Sequence, residues 1–419
     1  MIDYEAHLSG AARRYQESAI RRIGALSASI PDLVSFAAGS PAVETFPWEA
    51  LQEIVAGLLA RRDGAALQYG ATRGYRPLIE DVVHLLARRG VDAAPDQIVI
   101  TTGSQQGLDF VGRIFIDPGA PALVELPTYS GAIAAFRNLE ADLVGVRQDD
   151  EGLSIEGLTE AAQALARAGR PARFVYVTPN FQNPAGLLMS RARRRELLEA
   201  ARRLDLLIVE DDPYGSLYFE DAAVEADTRP LKADDADGRV VYLGSMSKTL
   251  VPGFRVAWLV APAPVAARVE LAKQAADLCS GVFDQRVVHA ALASGLVDRM
   301  APGLRAHYQA KRTVMERALG ETLAGQLSWR SPRGGFFLWV RLPEGVRDTD
   351  LLDRALAAKV SFVPGSAFFV DGGGHDRARL SFSNPTPERI VEGARRLAIA
   401  LAGADVRQAP KAQSREPRA

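Results

Sequence analysis

Five short, nearly unbroken apolar runs recur along this 419-residue chain, with helix-like segments between them. They are Gln97–Thr101, Ala122–Leu126, Arg173–Val177, Leu206–Val209 and Val240–Leu243. A strand wetted on one face alternates apolar and polar side chains. Continuous apolarity is what a strand needs when helices cover both of its faces, as in a parallel sheet. Residues 190–203 show the helical half of the pattern. Ser190 is a good N-cap, and Leu197, Leu198 and Ala201 fall on one helical face. Alternating strands and helices predict a doubly wound α/β layer fold.

The residues after each run are chemically distinct. The first run leads into Thr102-Gly103-Ser104-Gln105 and the second into Pro127-Thr128-Tyr129. The third opens the stretch Pro179 to Pro184, which contains Asn183, and the fourth leads into Glu210-Asp211-Asp212-Pro213-Tyr214. In open parallel sheets ligands bind beyond the carboxyl ends of the strands. A hydroxyl-glycine turn, an aromatic ring, an amide and a carboxylate with a phenol are therefore expected at one crevice. The fifth run adds a lysine.

After about residue 285 the texture changes. A long helix from His289 to about Leu323 is expected, then a strand over Gly335–Val340 and a helix over Thr349–Lys359. A strand over Ala378–Phe382 and a final helix over Pro387–Leu401 follow, which reads as a smaller α+β domain. The expected division is an N-terminal arm at 1–45, a large domain at 46–285, a small domain at 286–402 and a polar, disordered tail at 403–419.

Composition narrows the function classes. A net charge of −1 gives no electrostatic footprint for nucleic acid or an anionic membrane. One cysteine, Cys279, cannot build a disulfide framework and fits a reducing compartment, so a cytoplasmic protein is expected. The five histidines are scattered, with no pair at metal-ligand spacing. No signal peptide and no apolar stretch of membrane-spanning length is legible.

The segment Ser245-Met246-Ser247-Lys248-Thr249-Leu250-Val251-Pro252-Gly253-Phe254-Arg255 sets one lysine among small hydroxyls at a strand end, with an arginine seven residues on. A lysine that condenses with an aldehyde needs that setting, beside groups able to hold an anionic cofactor. Alone, it reads as an exposed lysine in a surface loop after a buried strand, and the other segments must decide. It is not a P-loop, because Ser247 rather than glycine precedes the lysine. The segment resembles the cofactor-tethering motif of fold-type I pyridoxal phosphate (PLP) enzymes, specifically the class I/II aminotransferases. The same resemblance runs through Asp211-x-x-Tyr214, Asn183-Pro-Ala-Gly, Pro-Thr-Tyr129, Gln-Tyr69-Gly and Arg379-Leu-Ser-Phe. Residues 35–41 followed by Phe46-Pro47 also match, and the whole spans about residues 18–402. Gln-Tyr-Gly-x-Thr-x-Gly-Tyr and Ser-Lys-x-Leu-x-Pro-Gly-Phe-Arg are most similar to the 2-aminoadipate and multi-substrate aminotransferase subgroup.

The resemblance implies a large PLP-binding domain around a mostly parallel sheet of seven-stranded type, plus a smaller α+β domain. It implies that Lys248 tethers the cofactor and moves the proton, that Asp211 pairs with the pyridine nitrogen, and that Tyr214 and Asn183 reach its 3-hydroxyl. Tyr129 would stack on the ring. Gly103, Ser104 and Gln105 at a helix N-terminus would hold the phosphate with Ser245, Ser247 and Arg255. Tyr69 would reach the phosphate of a neighbouring subunit, making the enzyme a homodimer with shared sites. Arg379 would bind the substrate α-carboxylate and Gly39 would let backbone approach it. Arg21, or else Arg22, would read an acidic substrate side chain. Asp212 is expected as an acid at a helix N-terminus. The implied activity is ping-pong transfer of an amino group from an L-amino acid to a 2-oxo acid such as 2-oxoglutarate or pyruvate. The alternatives are another PLP reaction on the same fold (lyase, decarboxylase or racemase) and, further off, a non-catalytic PLP sensor.

Overall fold

The computed structural model describes residues 2–15 and 17–408. Its central sheet is built from Ile98–Thr102 (β1), Pro121–Leu126 (β2), Asp142–Asp149 (β3), Phe174–Val177 (β4), Leu207–Asp211 (β5), Val240–Ser245 (β6) and Val256–Val260 (β7). The order is β1-β7-β6-β5-β4-β2-β3, with the two-residue strand Gly152–Leu153 as the eighth member. Strands β6, β5, β4, β2 and β3 run parallel. β7 is antiparallel to both of its neighbours. The carboxyl ends of β1, β2, β4, β5 and β6, the five expected strands, therefore emerge at one edge.

Both faces of the sheet are covered, as continuous apolarity requires. Val99, Val209, Val241 and Leu243 pack on one side with Leu108, Phe110 and Phe136. Their strand neighbours Ile100 and Tyr242 turn to the other side, against Leu78, Val82 and Leu86. Ile208 and Val240 meet Leu197 and Ala201 on that side. The helix Arg191–Arg203 begins as expected, with Ser190 Oγ accepting from Arg193 N–H at 3.1 Å.

Four expectations shift. β3 is half exposed and carries Asp142, Gly145 and Arg147, which dilute its apolar signal. β7 is wholly buried but follows the lysine segment closely and reads as its continuation. The single helix expected from His289 to Leu323 is two, Val282–Ala293 and Leu296–Thr322. They part at Gly295, whose φ of +69° ends the first helix at little steric cost. The last helix runs over Pro387–Gln408, so the polar tail expected from 403 starts as helix, and residues 409–419 lie outside the described residues.

Beyond these helices a four-stranded antiparallel sheet centres on Phe337–Arg341 and Arg377–Ser381, with Trp339 paired to Arg379. Its core includes Leu338, Phe382 and Leu397 and is continuous with Phe36, Phe181 and Tyr214. That continuity carries Arg379 to the loops at the edge of the central sheet. Leu197 is fully buried on the helix Arg191–Arg203, whereas Arg195 on the same helix is exposed. Leu197→Ala is expected to lower unfolding free energy by about 2–5 kcal/mol in urea titrations, and Arg195→Ala by under about 0.5 kcal/mol.

Candidate active site

β5 ends on Asp211, 4% exposed, whose Oδ2 accepts the Tyr176 hydroxyl at 2.9 Å. Its other oxygen, Oδ1, is buried without a partner. Burial raises the Asp211 pKa to about 7, the Tyr176 hydrogen bond opposes the rise, Asp212 adds to it, and Lys248 opposes it. Lys248 lies in the turn after β6, where its Nζ donates to Gly39 O at 2.9 Å. The ammonium sits 5.8 Å from the ring centroids of both Tyr214 and Phe336. Burial, then Arg379 and Arg255, lower its pKa to about 8, with Asp211 acting the other way. A lysine so placed is the neutral amine for about a tenth of its time at pH 7, far more than an ordinary lysine.

Arg379, 1% exposed, donates Nη1 to Asn183 Oδ1 at 2.8 Å and Nη2 to Ala37 O at 2.6 Å. Its Nε has no partner. Its guanidinium carbon lies 4.2 Å from the Phe337 ring centroid, and burial lowers its pKa to about 10. Tyr214 is buried edge-on against Phe336 and Phe337, and burial pushes its phenol well above the ordinary value. Tyr129 caps the helix Ser130–Asn138. Burial raises its pKa, and the charges acting on its hydroxyl are Asp211, Arg379, Arg21 and Arg255.

The anion cradle assembles from two strand ends. Gly103, at φ +80°, precedes the helix Ser104–Phe115, whose first N–H groups are free of intrahelical acceptors. A Cβ on Gly103 would overlap the Arg255 guanidinium, so only glycine admits that arginine to the helix N-terminus. Arg255 adopts a left-handed φ of +54° and reaches Ser247 Oγ at 3.4 Å. Ser245 Oγ accepts from Ser247 N–H at 3.0 Å. The Gln105 side chain is committed to Gly131 O at 2.8 Å, which leaves its backbone for a ligand. Arginine, serine hydroxyls and a helix N-terminus are a phosphate-binding set.

Most predicted site residues thus lie around one pocket. A ring with a nitrogen to satisfy and a phosphate to anchor fits the buried unpartnered Asp211 Oδ1 and the Gly103–Arg255 cradle. Gly39 has a steric reason of its own, since a Cβ there would come within 2.9 Å of the Phe337 ring. Arg21 is exposed on the helix Ala19–Ser29, and its charge acts on the Tyr129 hydroxyl from a distance, without a direct bond to the site. Tyr69 is not brought in. It is 79% exposed.

Asp212 departs from expectation. No helix follows it; its Oδ2 accepts from Arg89 at 2.6 Å and from the Tyr242 hydroxyl at 3.2 Å, and its Oδ1 from Asn180 at 2.9 Å. Asn180 Oδ1 in turn accepts from Arg194 at 2.8 Å. Sequence reasoning missed Tyr176, which touches Asp211, and Arg89 and Asn180, which build the scaffold behind it. Tyr176 reads as strand core, and Arg89 is more than a hundred residues from its partner.

The chain is similar to known proteins over nearly its whole length. The sequence profile of aminotransferase class I and II matches residues 31–397. Aromatic-amino-acid aminotransferase 1 of Thermococcus litoralis is 40% identical over 95% of this chain and 94% of its own length. The 2-aminoadipate transaminase of Thermus thermophilus is 40% identical over 94% of this chain and 96% of its own. The crystal structure of Pyrococcus horikoshii kynurenine aminotransferase, in complex with PMP, superposes with a TM-score of 0.91. It is 38% identical and covers 96% of this chain and 98% of its own.

The two neighbouring aspartates are expected to respond oppositely to removal of charge. The folded pKa of Asp211 is raised, so its contribution to stability is present below the unfolded value near 3.8 and is lost as pH rises to about 7. In cofactor-free protein Asp211→Asn should gain stability relative to wild type between pH 4 and 8. Asp212→Ala strands the buried Arg89 charge and should cost about 3–5 kcal/mol. Thermal unfolding at several pH values checks both.

Proposed function

This chain belongs to the class I and II aminotransferases, and on that footing we propose that the pocket is where it moves amino groups from L-amino acids to 2-oxo acids in two half-reactions. It is a PLP-dependent aminotransferase. The observation that carries the site assignment is the unspent hydrogen-bonding capacity of Asp211 Oδ1 and Arg379 Nε in one pocket with Lys248. When bound, PLP supplies an aldehyde that takes up the amino group and a protonated ring that stabilises negative charge at the substrate Cα.

The residues divide the remaining work. Asp211 Oδ1 holds the proton on the ring nitrogen. Tyr214 and Asn183 hold the ring's 3-oxygen, and Tyr129 covers its face. Gly103, Ser104, Gln105, Ser245, Ser247 and Arg255 hold the phosphate. Lys248 Nζ tethers the cofactor and, once released, takes the proton from the substrate Cα; its lowered pKa suits a base near neutral pH. Arg379 holds the α-carboxylate in a planar fork that lysine cannot reproduce. A side chain that keeps the carboxylate in place favours transamination over decarboxylation.

Arg21 is the best-placed cation for an acidic donor side chain such as that of 2-aminoadipate or glutamate. We also propose a homodimer. Leu67 at 74%, Tyr69 at 79% and Leu278 at 48% exposure are large apolar groups that a second copy would cover, and Tyr69 would then complete the partner's phosphate site. The single cysteine supports a cytoplasmic location.

In a single turnover without a 2-oxo acid acceptor, the holoenzyme should form about one equivalent of 2-oxo acid per site and release neither ammonia nor carbon dioxide; release of either points to lyase or decarboxylase chemistry. Lys248→Ala should abolish turnover and the cofactor's imine absorbance. Arg21→Ala should lower kcat/KM for 2-aminoadipate by about tenfold or more, with leucine little affected. Equal treatment of both donors by the variant removes the acidic-pocket assignment.

A further inference from the structure

We propose that Tyr176 is a positioning residue for the cofactor site: its hydroxyl fixes the Asp211 carboxylate so that Oδ1 alone faces the ring nitrogen. The inference rests on the role assigned to Asp211 above. Tyr176 is fully buried on β4, and its backbone pairs with Val209, two residues before Asp211 on β5. The phenol therefore reaches along the sheet from one strand to the carboxyl end of the next. Its oxygen lies 2.9 Å from Asp211 Oδ2 and 3.3 Å from Thr178 Oγ1, which donates to it. With the Thr178 proton on one lone pair, the phenolic proton is directed at Asp211.

Nothing else in the described residues donates a hydrogen bond to that carboxylate. The charged and titratable groups around it are Lys248 after β6, Asp212 next in the chain, Glu125 on β2, and the phenols of Tyr129 and Tyr214. Only Lys248 favours the charged form, and it does so across space. Glu125 is occupied by Thr178 N–H at 3.0 Å and the Gln182 amide at 3.1 Å. One hydrogen bond thus sets the orientation of Asp211 and opposes its desolvation.

Tyr176→Phe removes that bond and keeps the ring, which packs against Phe136 with centroids 5.9 Å apart. A hydrogen bond to a charged group is worth a factor of roughly ten to a hundred in an equilibrium constant. Titration of the cofactor-free variant with PLP should show a dissociation constant raised about tenfold or more. The melting-temperature deficit of the cofactor-free variant should be larger at pH 8.5 than at pH 6, because loss of the donor raises the Asp211 pKa further. That difference should vanish when Asp211→Asn is added. Unchanged PLP affinity, or a deficit equal at both pH values, overturns the proposal. Asp211→Asn alone keeps the two readings apart. If it binds PLP like wild type, the assignment of Asp211 itself fails. If it weakens binding while Tyr176→Phe does not, only the Tyr176 inference fails.

Discussion

Desolvation at the edge of the central sheet is the interaction on which the site depends. The same apolar surroundings push Asp211 up, to about 7, and Lys248 and Arg379 down, to about 8 and about 10. Burial disfavours charge of either sign, so an acid and two bases move toward each other on the pH scale. Proton transfer is most effective between groups whose pKa values lie near the working pH. Residues separated by up to 168 positions acquire that property by sharing one pocket.

Such a pocket needs rigid walls, and buried polar bonding supplies them. Asp212 gathers Arg89, Asn180 and Tyr242, while Arg194 ties Asn180 and Pro179 O together. Glu210, on the same strand, accepts from the backbone of Leu231 and Lys232. These acids flank Asp211 in sequence, yet their hydrogen bonds face away from the pocket. Leu243 pairs with Asp211 across the sheet and fixes how far the lysine turn begins from the carboxylate. Side chains that alternate along a strand let one stretch, Glu210-Asp211-Asp212, serve scaffold and site together.

The strands and the chemistry at their ends were legible because both are local. Continuous apolar runs mark strands buried on both faces, and parallel topology brings their ends together. What was not legible is non-local or disguised. Tyr176 sits in Phe-Val-Tyr-Val and has the signature of core, because its hydroxyl partner is 35 residues away. Asp212 suggested a helix start, but the chain turns without forming one, and an arginine just past the end of the helix Arg76–Arg88 neutralises it. Gly295 broke a helix that its apolar periodicity continued through. Tyr69 carries a motif without a partner in its own chain, and a single copy leaves it at the surface.

The entry segment ties these levels together. Ala37 O accepts from Arg379 and Gly39 O accepts from Lys248, so two residues of one strap hold the two cations assigned to substrate carboxylate and to proton transfer. The contacts are backbone, and Phe337 forbids a side chain at Gly39, so the strap lies close over the pocket whatever its neighbours are. Ser383 Oγ donates to Ser40 O at 2.7 Å and the Tyr308 hydroxyl accepts from Ala42 N–H at 3.1 Å, which anchors the strap to the C-terminal part of the fold. A ligand carboxylate that draws on Arg379 competes with Ala37 O, and a Lys248 engaged elsewhere releases Gly39 O. Ala37 and Gly39, two residues of one connection running to Ala42, thus tie Arg379 on the small sheet to Lys248 beyond the central sheet.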